Sequence, residues 1–198
     1  MNKKIDPIIE KLINKKGFIE VICGPMFSCK TTKLIKIIHF FNFYSFQFLV
    51  FKPFLDNRYS YEKKLINHCL ESAPAILIKK SKEIYNFIKK DVDLIIIDEV
   101  QFLDNEIEKI VNYLSYQGIR FILAGLDLDF RGCPFGSMPY LLSIADHITK
   151  CSSYCYFCGK EATRTQRIKN KNFKKKESII LVGNNKDYQP CCRKCHKI

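Results

Sequence analysis

The sequence predicts an α/β fold, with a parallel sheet in a first domain and a small cysteine-bearing second domain. Short apolar runs alternate with helix-compatible segments, which is typical of a parallel sheet covered by helices. A glycine-led loop ending in Lys30 and Thr31 stands between a predicted strand and a predicted helix. Two Cys-x-x-Cys pairs lie at 155–158 and 192–195. We therefore place the first domain at 1–150 and the second at 151–198.

The N-terminal elements surround the glycine-led loop. Residues 1–16 are expected to form a short, mobile helix, near whose start Pro7 would be tolerated. The apolar run at 18–23 predicts a buried strand. After the loop, apolar residues recur at helical spacing and predict a helix over 32–43.

The middle of the chain continues the alternation. Aromatic and aliphatic residues predict a strand at 47–51, and a polar loop follows at 52–60. A short apolar run predicts a strand at 75–78. Ser81 can cap a helix that runs to about residue 90.

The next elements complete the predicted sheet. An aliphatic run at 93–97 suits a central parallel strand. Asp104 is expected to cap a helix over 105–116, which Gly118 would end. A further buried strand is predicted at 121–125.

The composition is that of a basic globular protein. Of its 198 residues, 47% are hydrophobic, which is enough for a core, and the formal net charge is +13. The basic residues are spread along the chain and form no stripe interleaved with aromatics. We interpret them as a solvated surface and expect no nucleic-acid partner, although nucleic-acid binding through lysines is the alternative.

No segment reads as a signal peptide or a membrane span, since lysines interrupt the apolar residues of 5–16. We therefore expect a cytoplasmic protein without a membrane partner. Disulfides are disfavoured in that compartment, so the ten cysteines need another explanation.

The glycine-led loop is typical of a phosphate-binding loop and consists of Gly24, Pro25, Met26, Phe27, Ser28, Cys29, Lys30 and Thr31. Its amides and the following helix N-terminus would cradle phosphate oxygens. Lys30 would reach the β- and γ-phosphates, and the Thr31 hydroxyl would bind Mg²⁺. Cys29 stands where the motif has its second glycine, whose backbone adopts a geometry that a Cβ opposes. An unrelated turn is the alternative.

An acidic pair follows the strand predicted at 93–97. Asp98 would bring a carboxylate to Mg²⁺ beside the loop. Glu99 would point elsewhere and could accept a proton from a nucleophile. The alternative is an ordinary loop start.

A third stretch, at 124–136, begins at a strand end where open α/β sheets bind ligands. Its aromatics and Arg131 suit a flat ring next to phosphates. An ordinary surface loop is the alternative, which Phe130 and Phe135 make less favourable.

The two Cys-x-x-Cys pairs indicate a tetrahedral Zn²⁺ site with Cys155, Cys158, Cys192 and Cys195 as ligands. Cys151 and Cys191 would be spare, and His196 could compete with Cys195. A disulfide framework is the alternative. Between the pairs, a lysine-rich stretch at 169–176 and a predicted strand at 178–182 indicate a flexible loop held at its base by metal.

Taken in this order, the motifs resemble the thymidine kinases of the cellular and bacterial type, whose zinc domain carries a lasso. The matching stretches are Gly-Pro-Met-Phe-Ser-x-Lys-Thr at 24–31, Lys-Pro-x-x-Asp-Asn-Arg-Tyr-Ser at 52–60, Asp-Glu-Val-Gln-Phe at 98–102, Gly-Leu-Asp-Leu-Asp-Phe-Arg-Gly-Cys-Pro-Phe-Gly at 125–136 and Tyr-x-Pro-x-Cys-Arg-x-Cys-His at 188–196. The resemblance implies ATP-dependent phosphorylation of the 5′-hydroxyl of thymidine and deoxyuridine, in salvage for DNA synthesis. It also implies a homotetramer inhibited by thymidine triphosphate.

The resemblance further implies a role for individual residues. Glu99 would be the general base, and Mg²⁺ would be supported by Thr31, Asp56 and Asp98. ATP would contact residues 24–31 together with Asp98, Glu99, Val100 and Gln101. Thymidine would be bound by Met26, Arg58, Phe102, Leu126, Phe130, Phe135, Thr165, Val182, Gly183 and Tyr188.

Two residues depart from the family pattern: Cys29 in the loop, and Asn184, which replaces a second lasso glycine. Two other functions stay open on the residues alone. One is a different phosphate-loop ATPase with a zinc appendage, and the other is a non-enzymatic zinc module that binds nucleic acid.

Overall fold

The computed structural model describes residues 16–44, 46–55, 64–66, 71–168 and 187–197. Its strands are β1 Ile19–Cys23, β2 Phe48–Pro53, β3 Lys64–Ile66, β4 Ser72–Pro74, β5 Ile76–Ile78, β6 Leu94–Ile97, β7 Arg120–Gly125, β8 His147–Lys150, β9 Ser153–Tyr154, β10 Glu161–Ala162, β11 Arg164–Arg167 and β12 Tyr188–Cys191. The α-helices are α1 Lys30–Phe43, α2 Glu106–Tyr116 and α3 Met138–Ile144. Two 3-10 helices lie at Ser81–Asn86 and Val100–Phe102.

The central sheet has six strands in the order β5-β2-β6-β7-β1-β8. Every neighbouring pair in it is parallel. The register aligns Cys23 with Gly125, and Ile97 with Leu123. The segments that follow β1, β6 and β7 therefore meet at one edge, where open α/β sheets bind their ligands.

Both faces of the sheet are covered. Alternate residues of β1, β6 and β7 pack against α2 and α3 on one face, and the others pack against α1 on the opposite face. Ile96 and Ile97 are each fully buried, yet they belong to different faces. This two-sided burial is why the strands read as continuous apolar runs.

The predicted α/β class is confirmed, and all five predicted strands that lie in the described residues occur within about two residues of their expected bounds. The helix expected at 81–90 is wrong: a 3-10 helix at Ser81–Asn86 takes its place. Lys80, not Ser81, precedes its first turn, and the Ser81 hydroxyl donates instead to the Asp104 carbonyl oxygen at 3.2 Å.

Other boundaries also shift. Helix α2 begins at Glu106 with Asn105 before it, although an Asp104 carboxylate oxygen does accept from the Glu106 N–H at 3.2 Å. The first two residues of the expected 52–60 loop belong to β2. The predicted helix at 1–16, apart from its last residue, and the predicted strand at 178–182 lie outside the described residues.

After β8 the chain forms small antiparallel pairs, β9 with β10 and β11 with β12. A separate small core of Cys155, Ala162, Cys191 and Cys192 lies within them. The central sheet thus ends at Lys150, next to the predicted domain boundary, which stays a prediction. Within the described part of the chain, none of the helices combines the length and apolarity needed to cross a bilayer.

Candidate active site

The loop after β1 is closed by its own side chains. The buried Lys30 ammonium donates to the carbonyl oxygens of Pro25 at 2.7 Å and Gly24 at 3.0 Å. The Ser28 hydroxyl also donates to the Pro25 oxygen, at 2.8 Å. These bonds hold the lysine at the loop where a phosphate group would be bound; its contact with phosphate stays a prediction.

Backbone strain is concentrated in this region. Among the described residues, three non-glycines have positive φ: Phe27 at 64°, Cys29 at 62° and Glu99 at 52°. Cys29 directly precedes α1 in the left-handed conformation. Such conformations are costly for residues with a Cβ and occur mostly at functional sites.

Thr31 and Asp98 lie side by side where α1 begins and β6 ends. The Thr31 hydroxyl donates to Asp98 Oδ2 at 3.0 Å. The other Asp98 oxygen accepts from the Glu99 N–H at 3.0 Å. A hydroxyl beside a carboxylate matches the oxygen donors that Mg²⁺ prefers, so this pair fits the ion. Asp56, the third predicted magnesium residue, lies outside the described residues.

Glu99 is buried and held by the side chain of Gln101. The Gln101 amide nitrogen donates to Glu99 Oε2 at 2.6 Å, and its oxygen accepts from the Leu126 N–H at 3.1 Å. A Cβ at Gly125 would lie 2.5 Å from that oxygen, so the glycine makes room for the amide. Gln101 therefore fixes the direction of the Glu99 carboxylate. The predicted contacts of Glu99, Gln101 and Val100 with ATP stay predictions. The Val100 side chain lies in the core.

Six of the predicted thymidine-binding residues belong to one apolar cluster, which we call the aromatic cluster. Gln101 joins Leu126 of this cluster to Glu99. The buried members of the cluster are Met26, Leu126, Phe135 and Tyr188, and the half-buried Phe27, Phe102 and Phe130 pack against them. Phe102 and Phe135 meet edge to face at 5.6 Å. The buried Thr165 hydroxyl oxygen accepts from the Met26 N–H at 3.0 Å, which ties β11 to the phosphate loop. Arg58, Val182 and Gly183 lie outside the described residues.

Sequence reasoning missed Arg167, which is also buried at this cluster. Its guanidinium lies 5.0 Å from the centre of the Phe130 ring and 5.9 Å from that of Tyr188. The sequence did indicate this residue, because residues two apart on a strand share a face and Thr165 was already a candidate for substrate binding. Arg131, by contrast, pairs with Asp129 at 2.7 and 2.9 Å.

The four predicted zinc ligands come together. The sulfur atoms of Cys155, Cys158, Cys192 and Cys195 all lie within 4.8 Å of one another. Cys158 and Cys192 are 3.7 Å apart, far beyond a disulfide bond and close to the roughly 3.8 Å of two sulfurs that share a tetrahedral zinc. The donor set and spacing therefore fit Zn²⁺.

The pKa values of the cysteines are shifted in both directions: hydrogen bonds to Cys158 and Cys192 raise the pKa of Cys195 to about 12. Burial acts to raise the pKa of Cys155, but backbone hydrogen bonds from its neighbours outweigh burial and lower the pKa to about 6. A thiolate is the form that binds metal. Burial raises the pKa of Cys191 to about 12, so this neighbouring thiol stays neutral. His196 is not part of the sulfur cluster, since its Nε2 lies 2.9 Å from the Phe130 carbonyl oxygen.

A phosphate loop, a hydroxyl–carboxylate pair and a buried carboxylate that Gln101 joins to an apolar cluster are typical of a nucleotide-dependent phosphotransferase. Comparison with known proteins narrows this class. The family described as "Thymidine kinase" matches residues 17–196. Two curated relatives named thymidine kinase, from Onion yellows phytoplasma (strain OY-M) and Aster yellows witches'-broom phytoplasma (strain AYWB), are each 49% identical over 182 residues. Each alignment covers 91% of this chain and 87% of the relative. The chain belongs to the thymidine kinase family, which confirms the resemblance inferred from the sequence.

Among solved structures, the chain is similar to the Legionella pneumophila ATPase DotB, at 18% identity and a TM-score of 0.41. That alignment covers 72% of this chain and 38% of the ATPase. A likeness of this size carries no functional information.

Proposed function

We propose that this chain transfers the γ-phosphoryl group of ATP to the 5′-hydroxyl of thymidine, and of deoxyuridine, in nucleotide salvage for DNA synthesis. The observation that supports the proposal is a pair of links made by the acidic pair: Asp98 is bonded to Thr31 of the phosphate loop, and the buried Glu99 is joined through Gln101 to Leu126 of the aromatic cluster. Phosphoryl transfer needs positioning and charge neutralisation more than covalent chemistry. The chain offers groups for both at one edge of its sheet.

The phosphate side of the reaction is assigned to residues 24–31. Loop amides and the N-terminus of α1 would bind phosphate oxygens, and the Lys30 ammonium would exchange a loop carbonyl for a phosphate. Thr31 and Asp98 would hold Mg²⁺ together with Asp56. When bound, the ion neutralises charge on the phosphates.

Glu99 is assigned as the general base. It would take the proton from the 5′-hydroxyl while that oxygen bonds to the γ-phosphorus and the bond from phosphorus to the bridging oxygen of ADP breaks. The Gln101 amide supports this role because it keeps the carboxylate aimed at one place. The alignment of base and acceptor accounts for much of the rate in such reactions.

The aromatic cluster is assigned to the base of the nucleoside. Aromatic side chains suit a flat pyrimidine, and the Met26 N–H donates to the Thr165 hydroxyl oxygen, which holds β11 against the phosphate loop. By family resemblance, Arg58, Val182, Gly183 and Tyr188 would also contact the substrate. We further propose a zinc-binding lasso domain at 151–198, a cytoplasmic homotetramer and feedback binding of thymidine triphosphate.

The test is a substrate panel with γ-³²P-labelled ATP. Label should pass to thymidine and deoxyuridine, but not to cytidine or purine nucleosides, and Glu99→Gln should abolish most of the transfer. Transfer to water alone would instead indicate an ATPase. Salt-sensitive DNA binding without nucleoside turnover would indicate the nucleic-acid module.

A further inference from the structure

His196 faces the aromatic cluster and not the sulfur cluster. Its Nε2 lies 2.9 Å from the Phe130 carbonyl oxygen. Because a carbonyl oxygen only accepts, Nε2 carries the proton in this bond. The adjacent Cε1 edge of the ring lies near Gly132, where a Cβ would stand 3.5 Å from the imidazole Cε1. The imidazole thus packs against the segment 130–132.

The backbone of His196 is attached to the cysteine cluster. Its N–H donates to the Cys192 carbonyl oxygen at 3.0 Å, and the Cys195 N–H donates to the same oxygen at 3.2 Å. The following residue, Lys197, donates its N–H to the Gln166 side-chain oxygen at 2.7 Å. The turn that carries two of the candidate zinc ligands therefore sets where the imidazole stands.

Phe130 receives contacts from two parts of the C-terminal region. Its carbonyl oxygen binds His196, and the Arg167 guanidinium lies 5.0 Å from its ring centre. The same ring packs against the aromatic cluster assigned to the nucleoside base. A displacement of the 192–195 turn would therefore be transmitted to a wall of that site.

We propose that His196 is a positioning residue for thymidine binding, which ties the 192–195 turn to Phe130. The geometry of the four cysteines then sets the shape of the nucleoside site, and His196 is no zinc ligand. This inference rests on the proposed function. Loss of one such hydrogen bond is worth about two- to tenfold in an equilibrium constant.

The test compares His196→Ala and His196→Phe, which lose the donor, with His196→Gln, which keeps an N–H donor. His147→Ala is the matched control, because the His147 side chain is exposed on β8 and its one described hydrogen bond is to the nearby Thr149. For each purified chain, kcat, both Michaelis constants, zinc content and calorimetric thymidine affinity without ATP are measured. His196→Ala and His196→Phe should raise the thymidine KM and Kd about three- to tenfold. The ATP KM and zinc content should stay within twofold of wild type, and His196→Gln should recover most of the loss.

Several results would overturn the inference. A fall in zinc content in His196→Ala would make the histidine a ligand, and equal changes in both Michaelis constants would make its role a general structural one. Unchanged thymidine affinity would show that the contact has no role. If His196→Ala does not fold, the pair His196→Phe and His196→Gln decides alone. Thymidine phosphorylation by the wild type is measured before any variant is compared. Its absence would refute the proposed function and not this inference.

Discussion

Replacement of Cys29 by glycine tests the strain in the phosphate loop. Cys29 has φ 62° and ψ 24°, directly before α1. A left-handed conformation costs a residue with a Cβ roughly 1–2 kcal/mol, which glycine does not bear. Glycine also lowers the free energy of unfolding by about 0.5–1 kcal/mol, because it gives the unfolded chain greater freedom. Cys29→Gly should therefore raise the free energy of unfolding by up to about 1.5 kcal/mol.

The same substitution should also improve ATP binding. If phosphate binding requires the loop to hold this conformation more tightly, part of the strain opposes binding in the wild type. Recovery of about 1.4 kcal/mol would lower the ATP Michaelis constant at most tenfold. Urea denaturation and ATP titration at saturating thymidine measure both effects. Cys29→Ala is the matched control, because it removes the thiol and keeps the Cβ, and it should show neither effect. If the alanine and glycine variants behave alike, the explanation by backbone strain is wrong.

Three further predictions follow from the site. Glu99→Gln keeps the shape of the side chain but cannot accept a proton, so kcat should fall ~10²–10⁴-fold. Calorimetry should show that thymidine and ATP still bind. An unchanged kcat would show that Glu99 is not the base. Elemental analysis should find zinc in the protein, as expected if the four cysteines bind it. Chelation of the zinc should raise the thymidine KM more than the ATP KM, because metal binding is coupled to folding of the segment that the metal holds. Freshly purified protein without zinc would contradict this prediction. Thiol alkylation should inactivate the enzyme through the exposed Cys29, ATP-Mg²⁺ should slow the inactivation, and Cys29→Ala should resist it. Peptide mass mapping identifies the modified cysteine, and a parallel zinc measurement shows whether the metal is lost. The buried Cys23, whose pKa burial raises to about 11, should stay unmodified.

The parts of the fold that were predictable are those with strong local patterns. β1, β6 and β7 are buried on both faces, so each is an uninterrupted or nearly uninterrupted apolar run. Parallel strands also place their carboxyl ends at one edge, and the phosphate loop and acidic pair follow two of these ends directly. Sequence position alone therefore indicated that they would meet.

The elements that were missed lack such a pattern. β8 is an edge strand whose residues are exposed or half-buried, so it contains no apolar run. Helix α3 is only seven residues long and has a proline in its first turn. Sequence periodicity needs more residues than these elements offer.

The side-chain partners of the site were beyond sequence reasoning for a different reason. Gln101 bridges Glu99 and Leu126, which is 25 residues further along the chain, and no spacing rule connects these positions. His196 bonds to Phe130 across 66 residues. Such contacts arise from the packing of separate elements, so a sequence motif can name the residue without naming its partner.

The two residues of the acidic pair are adjacent in sequence but have different hydrogen-bond partners. Asp98 accepts a hydrogen bond from Thr31 of the phosphate loop, whereas Glu99 accepts one from Gln101, which is also bonded to Leu126 of the aromatic cluster. Glu99 has φ 52°, and the Phe102 N–H donates to its carbonyl oxygen at 3.1 Å, so the 3-10 helix at Val100–Phe102 begins directly after it. A left-handed glutamate is unfavourable by itself, so the surrounding bonds must hold it there. In the proposed function, this strained residue stands where a magnesium ligand and a general base would follow each other in sequence. The first would act on the phosphates and the second on the attacking hydroxyl.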